Sequence, residues 1–244
     1  MTDHQLKLCD EIIAAGKTLH SGGYVVSNDG NLSALCGEGE IIITPSGVSK
    51  GSLSREIMLR VDFDGRVLEG GKKPSVETPM HLAIYKSNKD ARAVVHAHPY
   101  TATLCSIFGL ALDLPVLAET VLGVGMIPLA PFAEPSTQAL ADSVVPFTER
   151  YSGCLMANHG CVTWADSVEK ALYQMEQIEF YAKITLGILT QDKLEPKLLS
   201  RQQIENLLEI RKGIAGMRPL RIPEGGAETV NTEALYPRGR DSEI

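Results

Sequence analysis

Residues 93–99 read Ala-Val-Val-His-Ala-His-Pro. Val94 and Val95 are apolar and β-branched, so the run is that of a buried strand. Side chains two apart share a face of a strand, which turns His96 and His98 the same way, and Pro99 closes the strand behind them. Taken alone the pair has two readings. It is half of a metal site awaiting a third ligand, or it is two unrelated histidines, one solvated and one in the core.

The surrounding chain supplies strands and helices in mixed order. Helical spacing of Leu6, Cys9, Ile12, Ile13 and Leu19 predicts a helix over about 5–20, ended by Gly22-Gly23. Two hairpins follow: Asn31–Leu35 and Glu40–Thr44 flank Gly37-Glu38-Gly39, and Ile57–Asp62 and Arg66–Leu68 flank Asp64-Gly65. A helix starts near Glu77, with Ser75 or Thr78 as its cap. Beyond the histidine strand, 101–108 is helical, Leu114–Glu119 and Val124–Leu129 are short strands, and about 136–147 is helical. Gly153–Ala157 and Cys161–Trp164 read as strands broken by Asn158-His159-Gly160. Asp166 is placed to cap a long helix over about 167–189, in which Ala171, Leu172, Met175, Ile178, Tyr181 and Ala182 form a core-facing stripe. A last helix spans about 200–214.

One domain is expected over 1–216, long enough to bury a single large core. The segment 217–244, rich in Arg, Glu, Pro and Gly, is expected to be disordered or packed on a neighbouring subunit. Hairpins with helices between and after them imply a mixed α/β layered domain rather than a strictly alternating parallel sheet.

The net charge of −7 argues against a nucleic-acid or anionic-membrane partner, both of which demand a basic face. An anionic substrate must then be held by local groups. The start of the chain has no signal-peptide pattern, and no apolar run approaches a membrane span. Five scattered cysteines without a CxxC pair suggest reduced thiols and a cytoplasmic protein. Cys154 and Cys161 bracket His159 but have no evident orienting partner, so they read as core thiols.

His96, His98 and His159 all fall at apparent strand ends, with Glu77 at a helix start. Three neutral imidazoles leave a zinc-like ion an open position for a substrate oxygen. A nearby glutamate can move a proton at the adjoining carbon. Separately, Glu77 also reads as a solvated carboxylate complementing the helix dipole, and His159 as a turn residue. His81, one turn beyond Glu77, packs or meets solvent, and His4 and His20 have no evident partners. Gly123-Val124-Gly125 fails the dinucleotide fingerprint because Pro128 occupies the third glycine position. The loops Asn28-Asp29-Gly30-Asn31 and Thr44-Pro45-Ser46-Gly47-Val48-Ser49 are rich in groups that donate to an anion.

Gly30-Asn31-Leu32-Ser33, Thr44-Pro45-Ser46-Gly47, Pro74-Ser75-Val76-Glu77, His96-Ala97-His98 and Asn158-His159-Gly160, in this order and spacing, resemble the class II aldolase and adducin family, closest in motif to its L-fuculose-phosphate aldolase branch. The resemblance runs from about Gln5 to Leu189. It implies a three-layer αβα sandwich with a central mixed, largely antiparallel sheet. It also implies a divalent metal (Zn2+, or Mn2+ or Co2+) on His96, His98 and His159, and a homotetramer with active sites at subunit interfaces. By the same resemblance Glu77 coordinates the resting metal and serves as acid/base, and Gly30, Asn31, Ser46, Gly47 and Ser75 hold a substrate phosphate.

The implied reaction cleaves a short ketose 1-phosphate to dihydroxyacetone phosphate and an aldehyde. Glutamate rather than aspartate at position 77 favours this over epimerisation. Three positions depart from the aldolase pattern: Val76 stands where a second serine is expected, and Glu119 and Arg218 stand where tyrosines serve the aldehyde end. Glu119 is therefore a possible substrate contact. It also keeps open a decarboxylase, 4-epimerase or dehydratase on a sugar phosphate or sugar-acid phosphate. A non-catalytic adducin-like module is the third reading, opposed by the intact histidine triad.

Overall fold

The computed structural model describes residues 1–191 and 193–214. The expected tail over 217–244, with Arg218, lies outside them. The described residues form one eight-stranded sheet. Its strands are β1 (Asn31–Gly37), β2 (Glu40–Ile43), β3 (Leu59–Asp62), β4 (Val67–Glu69), β5 (Ala93–Ala97), β6 (Leu129–Ala130), β7 (Gly153–Met156) and β8 (Gly160–Ala165). They lie in the order β4-β3-β2-β1-β5-β8-β7-β6, antiparallel throughout except for β6 beside β7. The helices are α1 (Asp3–Ser21), α2 (Thr78–Ser87), α3 (Tyr100–Ile107), α4 (Ala118–Gly123), α5 (Gln138–Val144), α6 (Val168–Leu189) and α7 (Arg201–Lys212).

The sheet is covered on both faces, as the expected αβα sandwich requires. Strand alternation sends neighbouring side chains into separate cores: Val95 packs with α1 and α6 through Ile12, Leu19, Met175 and Ile178, and Val94 packs with α2 and α5 through Met80, Ile84, Leu140 and Val144. His96, two residues after Val94, therefore faces the α2 side. On β1, Leu32 and Ala34 enter the first core, so Asn31 and Ser33 also face α2.

Three local expectations are corrected. Leu114–Glu119 is not a strand, and of Val124–Leu129 only Leu129 is in one, as the start of β6; Leu112 and Ile127 form an isolated bridge, and the apolar run between them coils into α4, burying Thr120 and Val121 while Glu119 is exposed. A short apolar run has no period of its own to decide between strand and helix, so packing decides. The cap of α6 is Ser167, whose hydroxyl accepts from the Lys170 N–H at 3.2 Å, while Asp166 pairs with the Lys170 ammonium instead. On α2 neither Ser75 nor Thr78 is the cap. Glu77 occupies that position, and its side chain makes no capping bond.

Candidate active site

Glu77 is released from helix-end duty because Ser75 performs it: the Ser75 hydroxyl accepts from the Glu77 N–H at 3.3 Å, and the Ser75 carbonyl from the Thr78 N–H at 3.1 Å. The freed carboxylate is 7% exposed, which removes the reading of a solvated dipole partner. It turns instead toward the end of β5. Its Oε2 lies 3.1 Å from His96 Nε2 and its Oε1 3.2 Å from His159 Nε2.

Register explains how residues far apart in sequence converge. Asn31 on β1 lies directly opposite His96 on β5, and its Nδ2 donates to Glu77 Oε2 at 2.7 Å. On the other side β8 pairs with β5, and the turn Asn158-His159 before it brings His159 beside His96, with ring centroids 4.9 Å apart. Asn158 takes a left-handed backbone, φ 55°, to make this turn. His98 sits just past β5, where its backbone N–H donates to the Tyr24 carbonyl at 2.9 Å. One ring nitrogen from each of His96, His98 and His159 lies within 4.8 Å of the others.

The donor chemistry fits a divalent cation. The Cys161 carbonyl can only accept, so the His96 Nδ1 at 2.9 Å from it must carry the proton, and a neutral His96 turns the Nε2 lone pair inward. That lone pair meets His98 Nε2 at 3.0 Å and Glu77 Oε2 at 3.1 Å. Electron-rich atoms this close repel unless a proton or a cation lies among them. The Asp29 carboxylate, 3.8 Å from His98 Nδ1, is placed to favour a proton on that outer nitrogen, which again turns Nε2 inward. His159 Nδ1 is buried without a hydrogen-bond partner among the described residues.

With a proton rather than a cation among these atoms, the charges of the cluster perturb one another strongly. Burial acts to raise the Glu77 carboxyl, but charge on His96 and hydrogen bonds from His159, His96 and Asn31 outweigh it and hold the group well below the usual carboxylate range. Burial acts to lower His96, and the Glu77 carboxylate outweighs it in the other direction. Burial, with charge on His96 and His159, pushes His98 down to about 3.

The expected anion loop of Thr44 to Ser49 lies against the loop that carries Ser75. Pro45 bridges Pro74, the Ser46 N–H donates to the Lys73 carbonyl at 2.9 Å, and the Ser75 N–H to the Thr44 carbonyl at 3.2 Å. These bonds spend the backbone N–H groups of Ser46 and Ser75, so their hydroxyls are what each can still offer an anion. Lys50, 1% exposed, ties the two early loops together by donating to the carbonyls of Asn28 at 2.8 Å and Val48 at 2.5 Å. Gly30 must be glycine: φ is +74°, and a Cβ there would lie 2.8 Å from the His96 carbonyl oxygen. Gly47, φ +71°, is exposed. Glu119 is exposed on α4, and among the described residues no hydrogen bond or ion pair joins it to the histidine cluster.

Sequence reading missed the role of His81. It is fully buried, with Nε2 2.5 Å from Asn31 Oδ1 and Nδ1 2.7 Å from the Ser33 hydroxyl. The signal was available as a period of two in Asn31 and Ser33 set against a period of four in Glu77, His81 and Tyr85. Cys154 and Cys161 are buried free thiols raised by that burial, as expected of core cysteines.

Comparison with known proteins places this geometry. The class II aldolase and adducin N-terminal domain matches residues 10–186. A 5-deoxy-D-ribulose 1-phosphate aldolase of Bacillus thuringiensis is 35% identical over 207 residues, 84% of this chain and 95% of the relative. A 3-oxo-tetronate 4-phosphate decarboxylase of Cupriavidus necator is 35% identical over 73% of this chain and 83% of its own length. A methylthioribulose-1-phosphate dehydratase of Pseudomonas aeruginosa is 35% identical over 78% of this chain and 98% of its own. Among solved structures, an L-fuculose 1-phosphate aldolase superposes with a TM-score of 0.78 at 28% identity, over 86% of this chain and all of that one. The names share a phosphorylated short sugar or sugar acid and differ in the bond broken.

Proposed function

We propose, from the premise that the chain belongs to the class II aldolase and adducin family, that it is a metal-dependent aldolase. Its substrate is a short ketose 1-phosphate, cleaved to dihydroxyacetone phosphate and an aldehyde. The observation that carries the reading is Glu77: a buried carboxylate set 3.1 and 3.2 Å from two of three converging imidazoles, beside the loops of Gly30, Ser46 and Ser75. A relative named as an aldolase of a ketose 1-phosphate, 35% identical over 84% of this chain, supports the same choice.

His96, His98 and His159 would hold the cation, with Glu77 as a fourth ligand when no substrate is present. A zinc-type ion there supplies a Lewis acid for the carbonyl side of the substrate. The chain's own groups do the rest. Gly30, Asn31, Ser46, Gly47 and Ser75 line the phosphate end, where Ser46 and Ser75 offer hydroxyls. Cleavage breaks the C3–C4 bond, the C4 hydroxyl passes its proton to the Glu77 carboxylate as the aldehyde forms, and the electron pair stays on C3. Glu77 delivers the proton to C3 that completes dihydroxyacetone phosphate, and its burial keeps bulk water from competing.

The assembly is a homotetramer with sites at subunit boundaries, working in the cytoplasm. Exposed Tyr100, directly behind the histidine strand, and exposed Val76 beside Glu77 support a partner surface over the site, and five buried free thiols suit a reducing compartment. The described residues within 1–216 act as one domain.

A second reading is favoured by relatives of equal identity with other names: the same site decarboxylates or dehydrates a sugar-acid phosphate or sugar phosphate. Val76 and Glu119, the departures from the aldolase pattern, are where such a substrate would differ. The test is to measure bound metal, then incubate the metal-loaded protein with L-fuculose 1-phosphate, 5-deoxy-D-ribulose 1-phosphate and related phosphates while following dihydroxyacetone phosphate and carbon dioxide. Dihydroxyacetone phosphate supports the aldolase, and carbon dioxide or loss of water from the sugar phosphate supports the second reading. No metal and no turnover sinks both.

A further inference from the structure

Between α2 and the sheet runs a line of polar side chains where a helix–sheet interface needs only apolar ones. Glu77, His81 and Tyr85 are spaced by four on the helix, and Asn31 and Ser33 by two on β1. Four helical residues rise ~6 Å and two strand residues ~7 Å, so the two sets interlock like rungs. Tyr85 OH lies 2.8 Å from Ser33 Oγ, Ser33 Oγ 2.7 Å from His81 Nδ1, His81 Nε2 2.5 Å from Asn31 Oδ1, and Asn31 Nδ2 2.7 Å from Glu77 Oε2. All five residues are buried.

The chemistry at one end fixes every proton in the line. A carboxylate only accepts, so Asn31 must present its NH2 to Glu77 and its oxygen to His81. His81 must then carry its proton on Nε2, which leaves Nδ1 a lone pair. Ser33 spends its single proton on that lone pair, and Tyr85 must donate to Ser33. Reversing any rung would set two acceptors or two donors face to face in a dry interface, at a cost of ~1–3 kcal/mol.

We propose that His81 is a positioning residue that locks the Asn31 amide so that its NH2, and never its oxygen, faces the Glu77 carboxylate. Ser33 and Tyr85 hold His81 in the tautomer this requires. Without the lock the carboxylate alone orients the amide, which is then held at one end only and swings out of line with it. Glu77 then loses the firm support of the one side-chain contact that, among the described residues, aims it independently of the three histidines. The proposal rests on Glu77 being the acid/base, and the line ends at a buried tyrosine, so it orients and does not conduct protons to solvent.

The test uses His81→Phe, which removes the donor, and His81→Gln, whose amide restores an N–H toward Asn31. Histidine-ring 15N spectra of the wild-type protein should show His81 with its proton on Nε2; a proton on Nδ1, or an imidazolium, overturns the proposal. His81→Phe should lower kcat by ~10²-fold with KM within about threefold, and His81→Gln should recover at least ~10-fold of that loss. Equal kcat in all three proteins, or an equal loss in both variants, overturns it. If the wild-type protein turns over none of the sugar phosphates, the catalytic reading fails separately, and hydrogen exchange of the Asn31 side-chain amide decides the positioning. It should be slow in wild type and His81→Gln and ~10²-fold faster in His81→Phe, and equal rates overturn the lock.

Discussion

Asn31 and Glu77, 46 residues apart, meet in a buried hydrogen bond of 2.7 Å from the asparagine amide to the carboxylate. The bond joins the first residue of a strand to the cap position of a helix. It holds the buried carboxylate that faces His96 and His159 at a fixed angle. Glu77→Gln keeps the shape of the side chain but removes the charge and the means of carrying a proton. Turnover should fall by ~10²–10⁴-fold, with far-UV circular dichroism unchanged. Unaltered turnover would remove Glu77 from the mechanism.

The helix α3 starts directly behind His98 and Pro99, and its first N–H groups are met by a carboxylate from another element. Glu179 on α6 accepts from the Thr101 N–H at 2.9 Å, the Thr101 hydroxyl at 2.8 Å and the Ala102 N–H at 2.9 Å, and its charge also suits the helix dipole. Glu179→Ala strands three buried donors and should cost ~2–4 kcal/mol in urea unfolding. Thr101→Val removes one of them and should cost ~1 kcal/mol. A loss below ~1 kcal/mol in the alanine variant would mean that water replaces the carboxylate.

Lys50 makes stability depend on pH in an unusual direction. Burial pushes its ammonium down to about 8, against the opposing pull of the Asp29 carboxylate. The unfolded chain keeps an ordinary lysine near 10.4. Below pH 8 both states hold the proton and the cost of burying the charge is paid in full. Between pH 8 and the unfolded value the folded state has released the proton and the unfolded state has not, so stability from this group rises with pH. The difference in unfolding free energy between the wild type and Lys50→Met should therefore shift in favour of the wild type from pH 8 to 10. A flat difference would mean that Lys50 stays charged between its two carbonyls.

The sheet, its two hairpins and the histidine triad were legible because each rests on local pattern: β-branched runs, glycine turns, and imidazoles at strand ends. The stretch 114–129 was not legible, since its apolar residues serve equally as strand or helix and only packing against α6 and α7 decides. His81 was passed over for a different reason. A histidine on a helix reads as surface or core until the helix face that meets the sheet is known: alternation turns Asn31 and Ser33 to one face of β1, but only packing shows that α2 covers that face. The anion loops were legible as loops. Their division of labour was not, since the Ser46 and Ser75 amides are spent on bonds between the two loops.

Gly160 gives the sharpest test of how tightly the triad is held. A Cβ at this position would lie 2.5 Å from His98 Cδ2 and 2.7 Å from the Ala97 carbonyl oxygen. The first atom is the edge of the imidazole and the second is backbone of β5, so the ring is the part that can yield. Gly160→Ala should displace His98 from the other two histidines and weaken zinc binding by ~10–100-fold in competition with a chelator. Overpacking should cost ~1–3 kcal/mol in the zinc-free protein. Gly187→Ala is the control: a Cβ there meets nothing within 4 Å, and in the last turn of α6 it should change stability by less than ~1 kcal/mol without changing zinc affinity. If Gly160→Ala binds zinc as tightly as Gly187→Ala, the His98 ring has room to move, and the close approach of β8 to the cluster is not what sets its geometry.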